Sequence, residues 1–217
     1  MVDLSKVQIT RAHRKTMSMN VLSDGTVQVK APFFMPKFFI NDFIKKHEDW
    51  IEERIKSTKK IARSGKYSEN DKFLFLGKEY VLSFGNYPKI EIKDGKLLFP
   101  IGLKFRAKKE LENFYLRQAK EVIKAQTIHY AQEMNTSFTS ISFSDTKSKW
   151  GSCTHDNRLQ FNWRLIMAPL LVLRYVVIHE LAHTIEKNHS HSFWARVRAQ
   201  NPSYKEQIKW LKINGDT

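Results

Sequence analysis

The sequence predicts an α+β fold, and three observations carry that expectation. Before about residue 104, short β-branched and aromatic segments alternate with turns containing Gly and Asp. From about residue 105, apolar residues recur at three- and four-residue spacing over helix-length stretches. The chain has 217 residues, 41% hydrophobic and 12% aromatic, so it can bury a core without disulfide staples. The expected organisation is a β-rich N-terminal region with one long helix, residues 1–104, and a region carrying the chemistry, residues 105–217. The same pattern also fits one compact unit.

Residues 7–31 read as strands, with Thr16 to Val21 and Thr26 to Lys30 flanking a hairpin turn at Ser23-Asp24-Gly25. Arg11, His13, Arg14 and Lys15 form a basic cluster, read first as a solvated loop and second as an anion-facing one. Pro36 opens a helix to about Ile61, whose Phe39, Ile40, Phe43, His47, Trp50, Ile51 and Ile55 fall at helical spacing and are expected in the core. Residues 58–68 read as a basic connector. Strands follow at Phe73 to Lys78, Tyr80 to Phe84, Lys89 to Ile92 and Lys96 to Phe99, with a hairpin turn at Lys93-Asp94-Gly95.

The helical pattern from Phe105 to Met134 carries a stripe of Leu111, Phe114, Tyr115, Ala119, Val122, Ile123 and Ile128. Phe138 to Phe143 reads as a strand, Thr146 to Cys153 as a turn-rich segment and Arg158 to Trp163 as another strand. Pro169 suits the first turn of a helix that is apolar almost all round, from Leu170 to Ile178, and therefore buried. Asn188 is expected to stop it in the left-handed conformation, and Ser190 to cap a helix holding Phe193, Trp194 and Val197. Tyr204 to Leu211 closes the chain as a helix, with Trp210 packed inward.

Within that buried helix lies His179-Glu180-Leu181-Ala182-His183. Histidines four apart share one helix face, so both rings reach one zinc ion at roughly 2.0–2.1 Å. Glu180 lies about 100° round the helix, placed for a water rather than for the metal. Buried polar groups need partners, and a metal satisfies all three at once. His189 is the leading third ligand and His191 its rival in the first turn of the next helix. Three protein ligands with an open fourth position is a catalytic rather than a structural zinc arrangement.

Trp150-Gly151-Ser152-Cys153, Asn162-Trp163-Arg164-Leu165, Ala168-Pro169, Tyr175 through His183, Asn188-His189-Ser190 and Phe193-Trp194 together resemble the YgjP-like metallopeptidase family, with relatives among the SprT-like zinc proteases. The resemblance is strongest from about Lys147 to Trp210 and weaker at Ser23-Asp24-Gly25, Ala31-Pro32 and Trp50-Ile51. It implies a zincin-like catalytic region in which a sheet edge runs along the substrate cleft beside the metal helix. It also implies that His179, His183 and His189 are zinc ligands and Glu180 the catalytic glutamate, which favours His189 over His191.

Around that site, Asp145, Asp156 and Glu186 are candidates to orient the imidazoles, and Arg158, Arg164 and Tyr175 candidates to stabilise a developing oxyanion. Trp150 and Gly151 read as core anchor and turn ahead of cleft wall. Cys153 is the lone cysteine, which excludes an internal disulfide and fits a reducing compartment. A role for it as a fourth, inhibitory zinc ligand is a minor alternative. No run of 18 apolar residues and no apolar leader at Met1 to Lys6 point to a cytoplasmic protein without membrane contact. The formal charge of +15 is spread evenly, +8 over residues 1–104 and +7 over 105–217, which suits a basic surface open to nucleic acid or nucleotides.

The expected activity is zinc-dependent hydrolysis of a protein or peptide, with Glu180 as general base. The alternatives are hydrolysis of a nucleotide phosphoanhydride at the same site, or a nucleic-acid-binding module with a structural zinc. An intact glutamate beside three histidines weighs against the last.

Overall fold

A computed structural model describes residues 7–14, 16–21, 26–52, 67–146 and 148–214. The chain divides into two compact units, Met1–Lys66 and Tyr67–Thr217. Within the second unit the strands between 72 and 100 share a continuous core with the helices that follow them.

In the first unit β1 (Val7–Ala12), β2 (Ser18–Val21) and β3 (Val27–Pro32) form a three-stranded sheet with β3 in the centre. β1 lies parallel to β3 and β2 antiparallel to it. β3 alternates as its sequence dictates: Val27, Val29 and Ala31 are buried while Lys30 points to solvent. The turn expected at Ser23-Asp24-Gly25 lies outside the described residues, but the pairing of Val21 with Val27 is the register a hairpin there requires. α1 (Lys37–Lys46) packs Ile40 and Ile44 against the same core, joined by Ile51. The long helix expected to Ile61 is interrupted at His47, whose N–H bonds to Ile44 O in a tighter turn. Residues 48–52 are helical again, and Ile55 and most of the basic connector lie outside the described residues. Phe39 and His47 are not core residues as expected but exposed, because the buried stripe is drawn by Ile40, Ile44 and Ile51.

The second unit holds two further sheets. β4 (Lys72–Phe75), β5 (Lys78–Gly85), β6 (Glu91–Lys93) and β7 (Lys96–Pro100) are ordered β4-β5-β7-β6, with β5 and β7 parallel and both outer pairs antiparallel. Both hairpins close through two residues with positive φ, Leu76-Gly77 and Asp94-Gly95, the pattern of a twist-matched tight turn. β8 (Ser140–Ser144), β9 (Gly151–Cys153) and β10 (Arg158–Asn162) are ordered β8-β10-β9, with β8 parallel and β9 antiparallel to β10. The segment expected to be only turn-rich thus ends in an edge strand, β9, held by its ladder to β10 rather than by its own propensity.

Four helices complete this unit: α2 (Ala107–Glu133), α3 (Leu170–Ile185), α4 (His191–Gln200) and α5 (Tyr204–Asn214). α2 buries Leu111, Phe114, Tyr115, Ala119 and Ile123 along the expected stripe, but continues it through Thr127 and Ala131 and leaves Ile128 exposed. Thr127 is tolerated there because its hydroxyl donates to Ile123 O at 2.7 Å. α3 is buried on most sides, as its apolar run demands. No described helix is long and apolar enough to cross a membrane.

The β4–β5 hairpin tip fixes the start of α3. Leu76 N–H and Gly77 N–H donate to Ile166 O and Met167 O at 2.8 and 3.2 Å. Gly77 has φ +76°, and a Cβ there would sit 2.7 Å from the Pro169 Cα. Gly77→Ala therefore combines a left-handed backbone with a clash against main chain. It is expected to lower stability by about 2–4 kcal/mol, read from urea unfolding.

Candidate metal centre

α3 places His179 and His183 one turn apart on one face, with ring centroids 4.9 Å from each other. The helix ends at Ile185 because Glu186 is extended, φ −119° and ψ 104°. Asn188 is not in the left-handed region, contrary to the sequence expectation. The stop comes from Glu186 itself, whose carbonyl turns back to accept from His183 Nδ1 at 3.0 Å. Ser190 then caps α4, its hydroxyl accepting from Phe193 N–H at 3.2 Å. Between that stop and that cap the chain reverses, and His189 swings onto the other two rings.

Three imidazole nitrogens, one from each of His179, His183 and His189, lie within 4.8 Å of one another. The Nε2 atoms of His179 and His189 are 3.2 Å apart. Ligands 2.0–2.1 Å from one ion at tetrahedral angles are separated by about 3.3–3.4 Å, so this spacing fits a shared metal. The hydrogen bonds to the rings agree. His183 spends its Nδ1 proton on Glu186 O, which leaves Nε2 as the free lone pair. Tyr175 OH meets His179 Nδ1 at 3.3 Å and steadies that ring. Burial, followed by the proximity of His183 and His189, pushes the His179 pKa down to about 3, and burial lowers that of His183. Both rings are thus kept neutral, as metal ligands must be.

The floor of the site is aromatic. Phe193 is fully buried, 4.5 Å from the His183 ring and 4.8 Å from the His189 ring. Trp194 stacks on His189 at 5.6 Å and on Tyr204 at 5.2 Å. The sequence marks Phe193 and Trp194 as helix-packing residues and as part of the family resemblance, without a place at the site. Their position three and four residues beyond the Ser190 cap puts them on the side of α4 that faces α3.

Glu180 is 6% exposed, and burial raises its pKa to about 7, opposed by the charge of Lys149. It faces β9. A Cβ on Gly151 would lie 2.7 Å from both Glu180 Cγ and Oε1. Gly151 is therefore no mere turn residue but the gap that admits the glutamate beside the edge strand. Gly151→Ala is expected to displace the Glu180 side chain. The predicted result is a drop in hydrolytic rate of about 100-fold with metal content unchanged, measured as kcat beside metal stoichiometry.

The remaining candidates are placed elsewhere. His191 is exposed at the first turn of α4 and is not among the converging nitrogens. Asp145 holds Arg164 through two bonds of 2.6 and 3.0 Å, and Arg164 lies over the Trp163 ring. Asp156 pairs with Arg158 at 2.7 Å. Both aspartates thus pair with arginines rather than with a ring of the histidine cluster. Tyr175 is committed to His179, and Glu186 contributes its carbonyl while its carboxylate accepts from Ser192. Burial pushes the Cys153 thiol up, and its sulfur donates to Thr154 O. It too lies outside the three-histidine cluster.

Comparison with known proteins agrees with this chemistry. The sequence pattern described as YgjP-like, metallopeptidase domain, matches residues 15–214. Among solved structures, the metallopeptidase zymogen of Pyrococcus abyssi abylysin is 19% identical, with a TM-score of 0.39, covering 41% of this chain and 90% of that one. The zymogen of Methanocaldococcus jannaschii jannalysin is 22% identical, with a TM-score of 0.37, covering 41% and 92%. No curated protein matches. The family pattern spans all but the ends of the chain, with the histidine cluster inside it, and the chain belongs to the YgjP-like metallopeptidase family.

Proposed function

We propose that this protein is a zinc-dependent peptidase in which His179, His183 and His189 hold the ion and Glu180 is the general base. The observation that carries the reading is the convergence of three imidazoles with a buried glutamate one residue from the first of them. Three nitrogen donors at this spacing suit zinc, which takes imidazole readily and leaves a fourth position open. When bound, the ion supplies Lewis acidity to a scissile carbonyl and to an attacking water.

The residues of the chain do the rest. Glu180 accepts the proton of the attacking water and delivers it to the leaving amine nitrogen, so one carboxylate serves both halves of the cleavage. Burial behind β9 raises the proton affinity of that carboxylate above that of a solvated glutamate. β9 presents the outer edge of a sheet beside Glu180, where an extended substrate chain can add its own backbone bonds. Lys187 donates to Thr154 O at 3.1 Å and to Asn157 Oδ1 at 2.5 Å, pinning the β9–β10 turn to the segment that carries His189.

The test is a panel on zinc-loaded protein, pairing unfolded protein substrates with nucleoside triphosphates. The expected result is new amino termini from the proteins, lost with chelator and regained with zinc, and no phosphate release. Release of phosphate or pyrophosphate without peptide cleavage would replace the peptidase by a phosphoanhydride hydrolase using the same groups.

A further inference from the structure

Four phenylalanines of the first unit stand out in solvent. Phe34 is 89% exposed and Phe38 74%, with Phe33 and Phe39 each 54%. They are carried by the turn between β3 and α1 and by the first turn of α1. Phe33 and Phe34 meet edge to face at 5.6 Å, and so do Phe38 and Phe39 at 5.7 Å. The His13 ring lies almost parallel to Phe33, at 14°. Exposed phenylalanines in such number call for a partner.

The turn that displays them is fixed. Arg11 reaches across from β1 and donates through Nη1 to Phe33 O at 2.7 Å and Met35 O at 2.8 Å, with a longer bond to Pro32 O. One side chain thus ties down three carbonyls of the segment that carries the rings. The described charge around the rings is mainly positive, and the nearest described acid, Asp42, is paired with Lys46. The described residues from 7 to 41 include Arg11, Arg14, Lys30 and Lys37 and no Asp or Glu.

We propose that this surface binds single-stranded nucleic acid, with Phe34 and Phe38 as stacking platforms and Arg14 and Lys37 facing phosphates. Charge complementarity sets the sign of the partner. The interleaving sets its kind: Phe33, Phe34, Lys37, Phe38 and Phe39 place a cation among rings along one segment. A single strand alternates flat bases and phosphates in the same way. A bilayer instead holds its charged and apolar groups in separate layers, which suits cations set apart from the rings rather than among them. Rigid display by Arg11 lowers the ordering cost of such a contact.

The experiment is fluorescence anisotropy of a labelled oligothymidylate of about 20 nucleotides with the full chain and its Phe34→Ala/Phe38→Ala variant. The variant is expected to bind at least tenfold more weakly, since each stacked ring contributes roughly fivefold to a hundredfold. Its thermal midpoint and peptide hydrolysis are expected to stay as in the parent, because both rings are exposed and outside the metal centre. Two phosphate contacts predict that raising salt from 50 to 200 mM weakens binding about sevenfold. An abasic strand of the same length is expected to bind parent and variant alike. Equal affinity of the two proteins for oligothymidylate overturns the proposal. So does phenylalanine-dependent binding to vesicles of phosphatidylcholine and phosphatidylglycerol with no binding to the strand.

Discussion

Glu180→Gln is expected to abolish hydrolysis while leaving the metal bound. The substitution keeps the size and shape of a side chain that is buried against Gly151, so it creates neither cavity nor clash. It removes the ability to take and return a proton. General acid–base catalysis by a positioned side chain is worth about 100-fold to 10,000-fold, or roughly 3–5 kcal/mol of barrier. The loss should fall on kcat, since the amide that replaces the carboxyl group still fills the wall of the site. Quenched-fluorescence peptide hydrolysis measured beside zinc content separates this from a loss of the ion. A variant that retains both zinc and full activity would remove Glu180 from the mechanism. A variant that loses zinc would show that the carboxylate acts on the metal, against its position one residue round the helix from His179.

The contrast between this residue and its neighbour Gly151 shows what a sequence can and cannot convey here. His179, Glu180 and His183 are legible because helix geometry alone fixes their mutual placement, and a single turn of chain contains the whole relation. His189 is legible with less force, since its position depends on where α3 stops. There the sequence points to an Asn in the left-handed region, whereas an extended Glu186 bonded to His183 ends the helix. The role of Gly151 is invisible in one dimension, because the atom it makes room for is 29 residues away in the sequence. Edge strand β9 is hidden for the same reason, being three residues long and defined by its ladder to β10. The α+β class and the order of strands and helices follow from local periodicity. Pairing such as β5 parallel to β7 does not, because it joins segments whose alternation would serve either direction. Asp145 and Arg164 are both sequence candidates for the site. They find each other instead, as charged pairs at a surface do when the geometry allows a two-bond contact.

His183→Ala is expected to remove the ion and the stability the ion confers. His183 is fixed from two sides, by Glu186 O at Nδ1 and by the Phe193 ring beneath it. Taking it away leaves two nitrogens, and if ligands share the binding energy roughly evenly, about 3–4 kcal/mol is lost, near a thousandfold in affinity. Zinc at a thousand times its dissociation constant adds about 4 kcal/mol to the folded state. For a chain of this size that is a rise of roughly 8–16 °C in Tm. The parent protein should show that rise on zinc addition and lose it with chelator. His183→Ala should show neither at the same zinc concentration. Its metal-free Tm should fall a few degrees below that of the metal-free parent, because the bond to Glu186 O and the packing on Phe193 are lost as well. His189→Ala should behave in the same way and His191→Ala as the parent, because only the first of that pair brings a nitrogen to the cluster. A zinc-dependent rise preserved in His189→Ala and lost in His191→Ala would move the third ligand onto α4. It would also require the segment between Glu186 and Ser190 to turn the other way, against the stacking of His189 on Trp194 that holds it in place.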